Sequence, residues 1–264
     1  MKILKFLVYS NSWISIGAFL ITLLSFKVFG TDPNIKFCVF IFFSTLFSYN
    51  FQRITRLKKI AKLSPDAWIV KNSFIAKIIL VASGIGAISF VPIFEAPFTL
   101  MWLIILGVIS LGYSYRNLRD LPYIKIVLIA VSWGITSAIL PLVIAGNQPL
   151  SKFVISFGWI FFYIIAITIP FDIRDIGIDE DSKKTIPQWV GVKRAKIVAY
   201  LCLMVSFIFI AFSLSLLGAI SLFISYIIAG FLIKNSSEKR NDLYFSFLID
   251  GHIIFQFLMV YFLC

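Results

Sequence analysis

Asp172, Asp175 and Asp179 stand at i, i+3 and i+7 in the stretch IPFDIRDIGIDEDSKKTIPQWVG. At roughly 100° per residue they fall within about 60° of one another on a helix face. Three carboxylates so placed repel one another unless a cation sits between them. Carboxylate oxygens completed by a substrate phosphate are the ligand set that Mg²⁺ prefers. Lys183 and Lys184 follow closely enough to meet an anion carried by that metal. The same composition also suits a solvated charged loop after a membrane span.

Other groups could complete such a site. In SYNFQRITRLKK, Asn50 and Arg53 are three apart and share a helix face, as do Arg53 and Arg56. Arginines there can clamp a diphosphate with paired N–H donors; basic helix ends also reach for lipid headgroups, which suits Arg56 and Lys58 equally well. In GYSYRNLRDLPY, Tyr113 and Arg119, beside Tyr115 and Arg116, can reach phosphate oxygens or serve as interfacial anchors. Asp250, His252 and Gln256 fall inside an apolar segment, where an ionisable residue is costly and defaults to a paired or functional role. Asp250 and His252 point to nearly opposite sides of a helix, so each needs a partner elsewhere. Asp250 suits a basic residue or Asn on a neighbouring helix, and His252, the only histidine, suits an interhelix hydrogen bond. No phosphate-binding glycine loop, zinc-protease motif or Ser/His/Asp arrangement occurs.

The elements that position these residues are membrane spans. The chain has 264 residues, 60% apolar and 14% charged, with a mean hydropathy of +0.98; a soluble domain carries about a quarter charged residues. Polar breaks leave nine apolar segments of spanning length, near 6–29, 35–54, 74–93, 97–115, 123–145, 151–171, 194–213, 216–233 and 243–263. The seventh and eighth come from one continuous run that folds back near Ser213–Gly218. The N-terminal segment is too long for a signal peptide and shows no cleavage site, so it reads as a retained first span. The expectation is an all-α membrane protein of nine transmembrane helices forming a single domain over 1–264.

Charge placement fixes the expected orientation. With the N-terminus in the cytoplasm, alternation puts 21 of the 24 Lys and Arg residues on the cytoplasmic side, leaving Lys27, Lys36 and Lys152 opposite. The net charge of +12 then belongs to a membrane-facing surface and speaks against nucleic acid. The carboxylate cluster shares that side with the basic loops. Cys38, Cys202 and Cys264 are scattered in or beside apolar runs and form neither a disulfide framework nor a metal spacing.

With these residues assembled, the chain resembles the UbiA superfamily of intramembrane prenyltransferases. The likeness spans nearly the whole chain. Its most specific part is DxxDxxxD at Asp172, Asp175 and Asp179, followed by Lys184, Thr185, Pro187 and Gly191. Tyr113, Ser114 and Arg119 resemble the family's Tyr-Ser segment after the fourth helix, and LIDGHIIFQ in the last segment is a weaker likeness. The first family motif, close to NDxxDxxxD, is altered: Asn50 matches its Asn, while Phe51, Ile54 and Lys58 occupy the carboxylate positions.

The resemblance implies a UbiA-like bundle with its active face in the cytoplasm. It implies Mg²⁺ held by Asp172, Asp175 and Asp179, which are also the catalytic group. The diphosphate of a prenyl diphosphate is met by Asn50, Arg53, Arg56, Tyr113, Arg119, Lys183 and Lys184. The implied reaction transfers the prenyl group to a hydrophobic acceptor, aromatic or lipid-like, in a chamber among membrane lipids. The rival is a relative that binds prenyl diphosphate or lipid without catalysis, having lost the first metal motif. Whether Arg53 and Asn50 point toward Asp172 and Asp175 discriminates the two. A transporter would need ionisable residues along a path through the membrane, and only Asp250 and His252 lie deep.

Overall fold

The computed structural model describes residues 2–91, 99, 101–108, 124–177 and 185–263. Every regular element among them is helical. In lipid each backbone N–H and C=O needs a partner within its own segment, and a helix provides that.

The chain opens with α1 (Lys2–Tyr9) and α2 (Ser12–Val28), then α3 (Ile35–Thr55), two short helices α4 (Leu57–Leu63) and α5 (Trp68–Lys71), and α6 (Ser73–Phe90). Helix α7 covers 101–108. Next come α8 (Ile124–Gly134), a π-helical turn (Ile135–Ile139) and α9 (Leu140–Ala145) in one line, then α10 (Leu150–Arg174). After the short α11 (Ile186–Val190) follow α12 (Val192–Ala211), α13 (Leu216–Asn235), a second π-helical turn (Tyr244–Ile249) and α14 (Asp250–Val260).

Six described helices are long and apolar enough to cross a membrane, seven if α1 and α2 are one broken span; Tyr244–Val260 is a shorter apolar helix. The expected fourth segment, 97–115, is described only at 99 and 101–108, where it is helical. The fold-back of the long apolar run lies where expected: α12 stops at Ala211, and the Ser215 hydroxyl caps α13 by accepting from the Gly218 N–H.

The first expected span differs. It bends by 72° between α1 and α2. The bend falls on Ser10 and Asn11, and Asn11 takes a left-handed conformation with φ 66°, which asparagine tolerates better than most residues. A continuous apolar run conceals such a break, because hydropathy does not register backbone hydrogen bonds.

The long helices pack in chain order. Helix α2 lies against α3, α3 against α6, α8 against α10, α10 against α12, α12 against α13 and α13 against α14. Helix α14 then packs back on α2, joining the two ends of the series. In lipid the packing depends on close contact and on hydrogen bonds between helices. The Ser206 hydroxyl of α12 donates to the Trp159 carbonyl of α10 at 2.8 Å, and Gly158 leaves the space that Phe209 fills. The outward faces carry large apolar side chains such as Val81, Ile85, Ile208 and Phe231, a surface suited to acyl chains.

Candidate functional site

One end of the bundle gathers the charged side chains. Helix α10 delivers Asp172 in its last turn and Asp175 at its C-cap. Asp172 is 2% exposed and lies 2.5 Å from the Nζ of Lys125, in the first turn of α8. Asp175 accepts from Arg174 Nε at 2.7 Å and Nη2 at 3.2 Å. The Arg174 guanidinium lies over the rings of Phe171 and Phe245, at 5.2 Å and 5.4 Å, with Nη1 3.8 Å from Asp242.

The helix expected to carry the aspartates stops at the second of them, Asp175, its C-cap. Helix α10 ends at Arg174, and residues 175–177 form a turn. The negative end of the helix dipole disfavours further carboxylates in helical register, and Gly177 adds no helix propensity. Asp179, Tyr113, Arg119, Lys183 and Lys184 lie outside the described residues.

Helix α3 contributes Asn50 and Arg53. The break after α1 strips the Tyr9 and Ser10 carbonyls of helical partners. Arg53 Nη1 donates to Tyr9 O at 3.0 Å, and Asn50 Nδ2 donates to Ser10 O at 3.0 Å and Leu46 O at 2.8 Å. Asn50 therefore turns toward α1. Its Oδ1 is buried without a hydrogen-bond partner. Arg53 is partly buried and lies in the field of Asp250, Arg174, Tyr49 and Asp242. Arg56 stands at the junction of α3 and α4, partly buried.

Asp250 stands at the start of α14, where its charge acts on both Arg174 and Arg53. The preceding π turn and a close helix contact hold it there. A wider turn leaves carbonyls without their usual helical donors, and the Phe247 carbonyl accepts from Trp13 Nε1 of α2 at 3.1 Å. A Cβ added at Gly251 would lie 2.9 Å from that indole nitrogen, so the neighbour of Asp250 has room only as glycine.

Of the residues that sequence reasoning pointed to, Asp172 is paired with Lys125 and Asp175 with Arg174, while Arg53 is tied to the Tyr9 carbonyl. That reasoning passed over Lys125, Arg174 and Asp242. Signals were present: Arg174 lies between two motif aspartates, and Lys125 opens an apolar run. His252 makes the interhelix contacts expected of it, with Tyr163 Oη 2.8 Å from Nδ1 and the Ser225 carbonyl 2.8 Å from Nε2.

The donor set suits a hard divalent cation. Two carboxylates one turn apart are oxygen ligands of the required kind, and binding would exchange Lys125 and Arg174 for the metal on Asp172 and Asp175. Among the described residues no three metal-binding side chains cluster.

The family model of the UbiA prenyltransferase family matches residues 70–247, well over half of the chain. That range begins beyond Asn50–Lys58, the stretch that departs from the family motif. The fold is similar to that of a UbiA homolog from Archaeoglobus fulgidus bound to GPP and Mg²⁺, with a TM-score of 0.69 and 14% identity over 98% of this chain and 99% of that one. The same comparison with a UbiA homolog from A. fulgidus bound to DMAPP and Mg²⁺ gives 0.68 and 14%, over 98% of each. An apo UbiA homolog from Aeropyrum pernix K1 gives 0.67 and 12%, over 97% of this chain and 96% of that one. No curated protein matches the sequence.

Proposed function

The chain belongs to the UbiA prenyltransferase family, and from that membership we propose that it is a Mg²⁺-dependent prenyltransferase of the membrane. It moves a prenyl group from a prenyl diphosphate to an aromatic or lipid-like acceptor. The reading takes a single domain over 1–264 with nine spans, the N-terminus and the active face being cytoplasmic. The observation that carries it is the pair of buried carboxylates at the end of α10, Asp172 against Lys125 and Asp175 against Arg174, in a chain of apolar helices. The bound GPP, DMAPP and Mg²⁺ of the A. fulgidus homologs support the choice of substrate and metal.

In this reading Asp172 and Asp175, with Asp179, hold Mg²⁺. The metal, when bound, neutralises the diphosphate and stabilises it as a leaving group. Arg53, Arg56, Arg119, Lys183 and Lys184 supply further positive charge and N–H donors, Tyr113 supplies a hydroxyl, and Asn50 orients the diphosphate. Such preorganised charge matters most where the leaving group gains its electrons. The bond from the allylic carbon to the diphosphate oxygen breaks, and its electron pair leaves with the diphosphate. The acceptor then bonds to that carbon and gives up a proton. Apolar helix walls keep water from the cationic carbon.

The test is Mg²⁺-dependent binding and turnover of geranyl, farnesyl and geranylgeranyl diphosphates by purified protein beside Asp175→Asn. Metal-dependent diphosphate release that the substitution abolishes supports the reading. Binding without release supports a second one, a non-catalytic prenyl-diphosphate or lipid-binding relative. That alternative is favoured by one observation: Asp172 and Asp175 are both already ion-paired, and Asn50 and Arg53 both brace α1. Absence of both binding and release overturns the assignment.

A further inference from the structure

We propose that α1, α4 and the start of α6 form a docking surface for anionic phospholipid of the surrounding bilayer. Helix α1 lies along the membrane surface with Ile3 and Phe6 among acyl chains, and Lys5, Lys58, Lys62 and Lys77 meet the lipid phosphates. This goes beyond the transferase reading and does not depend on it; it needs only that the long helices cross a membrane.

At roughly 100° per residue, α1 divides into three sectors. Leu4, Leu7 and Val8 form one and turn inward, Val8 buried and the leucines half-buried. Lys5 lies in the second and is exposed. Ile3 and Phe6 form the third and are 78% and 42% exposed. A helix surrounded by water gains nothing from the third sector, and a helix surrounded by lipid is penalised by the second. Both suit a helix at the boundary where protein, water and acyl chains meet. The 72° bend at Ser10 and Asn11 turns α1 out of the line of α2 and toward the membrane plane. Arg53 and Asn50 hold that bend through the Tyr9 and Ser10 carbonyls.

The neighbours of α1 continue the surface. Phe6 meets the Trp68 ring of α5 edge-on, with centroids 6.0 Å apart, and α5 packs on α4 and α6. Lys58 and Lys62 stand one turn apart on α4, both exposed. In the first turns of α6, Phe74 and Ile78 face outward as a span's lipid-facing residues do, and the exposed Lys77 stands between them. The aliphatic stem of a lysine so placed lies along acyl chains while its ammonium reaches the headgroups.

Charge identifies the partner. Seven Lys and Arg residues lie between 53 and 77, against one carboxylate, Asp66, which is paired with Lys71 at 2.8 Å. Crowded cations beside exposed apolar side chains need a counter-charge that arrives with hydrocarbon attached. Anionic phospholipid has that chemistry, whereas a zwitterionic headgroup brings a cation of its own.

The experiment compares two lipids. Native mass spectrometry of the whole protein in detergent measures phosphatidylglycerol against phosphatidylcholine with the same acyl chains. Phosphatidylglycerol is expected to bind about fivefold more tightly or better. Lys5→Gln, Lys58→Gln, Lys62→Gln and Lys77→Gln in one chain are expected to remove that preference. Lys36→Gln, Lys193→Gln, Arg194→Gln and Lys239→Gln, at exposed positions elsewhere, remove the same charge and are expected to leave it intact. Equal binding of the two lipids by the wild type overturns the proposal, as does equal loss in both variants. Displacement of phosphatidylglycerol by inorganic phosphate also overturns it, by making the surface a plain anion site. In nanodiscs, the amides of residues 2–9 are expected to exchange about threefold more slowly with phosphatidylglycerol than with phosphatidylcholine; equal exchange overturns the placement of α1. If the fourfold Lys5 variant does not fold, the two wild-type comparisons decide. Failure here leaves the transferase reading standing.

Discussion

Arg53 reaches across from α3 to the carbonyl of Tyr9, 3.0 Å away, at the point where the first helix breaks. The arginine proposed to bring positive charge to the diphosphate is therefore also a brace for the chain's first bend. Asn50, one turn earlier, does the same for Ser10. The two roles are linked, since a carbonyl at a helix break inside a bundle needs a donor.

Asn50→Asp tests that brace. A carboxylate there would face the Ser10 and Leu46 carbonyls with no N–H to offer. Losing such donors costs about 1–3 kcal/mol. The expected result is faster amide hydrogen exchange over residues 2–11 and a lower melting temperature, with exchange in α12 unchanged.

Lys125 and Asp172 are both largely shielded, with side chains 12% and 2% exposed. Removing one partner of such a pair strands the other, at about 3–5 kcal/mol. Asp172→Asn is expected to melt well below wild type. Lys125→Met with Asp172→Leu is expected to recover much of the stability and none of the metal binding, which separates the two roles of Asp172.

Gly251→Ala places a methyl group 2.9 Å from the indole nitrogen of Trp13. Overpacking of this kind costs about 1–3 kcal/mol. Thermal unfolding in detergent is expected to show that loss. Trp13→Phe in the same chain is expected to relieve part of it, while giving up the bond to the Phe247 carbonyl.

Tyr163→Phe removes the hydroxyl 2.8 Å from His252 Nδ1. A buried imidazole nitrogen left without its partner costs about 1–3 kcal/mol. A lower melting temperature in detergent is expected, with Ser225 still holding the other ring nitrogen.

Much of this arrangement was legible in the sequence. Length and hydropathy located the helices, since apolar composition and spanning length are local properties. The spacing of Asp172 and Asp175 drew attention to the end of α10, where both are ion-paired, and an aspartate at 250 inside an apolar segment announced a partner. What stayed hidden depends on contacts between distant segments. The break at Asn11 is invisible to hydropathy, because it follows from donors 40 residues later in α3. Lys125 looked like an ordinary residue at the start of a span until α8 was laid beside α10. The end of α10 at Arg174 was obscured because the aspartate spacing alone would also fit a longer helix.

The contact between α14 and α2 bears on how the protein is made. Trp13 emerges early from the ribosome, and Phe247 long after it. Until α14 seats against α2, the Phe247 carbonyl lacks the indole N–H of Trp13 that it accepts from. The series of described helices thus closes on itself only after the helices between have been made.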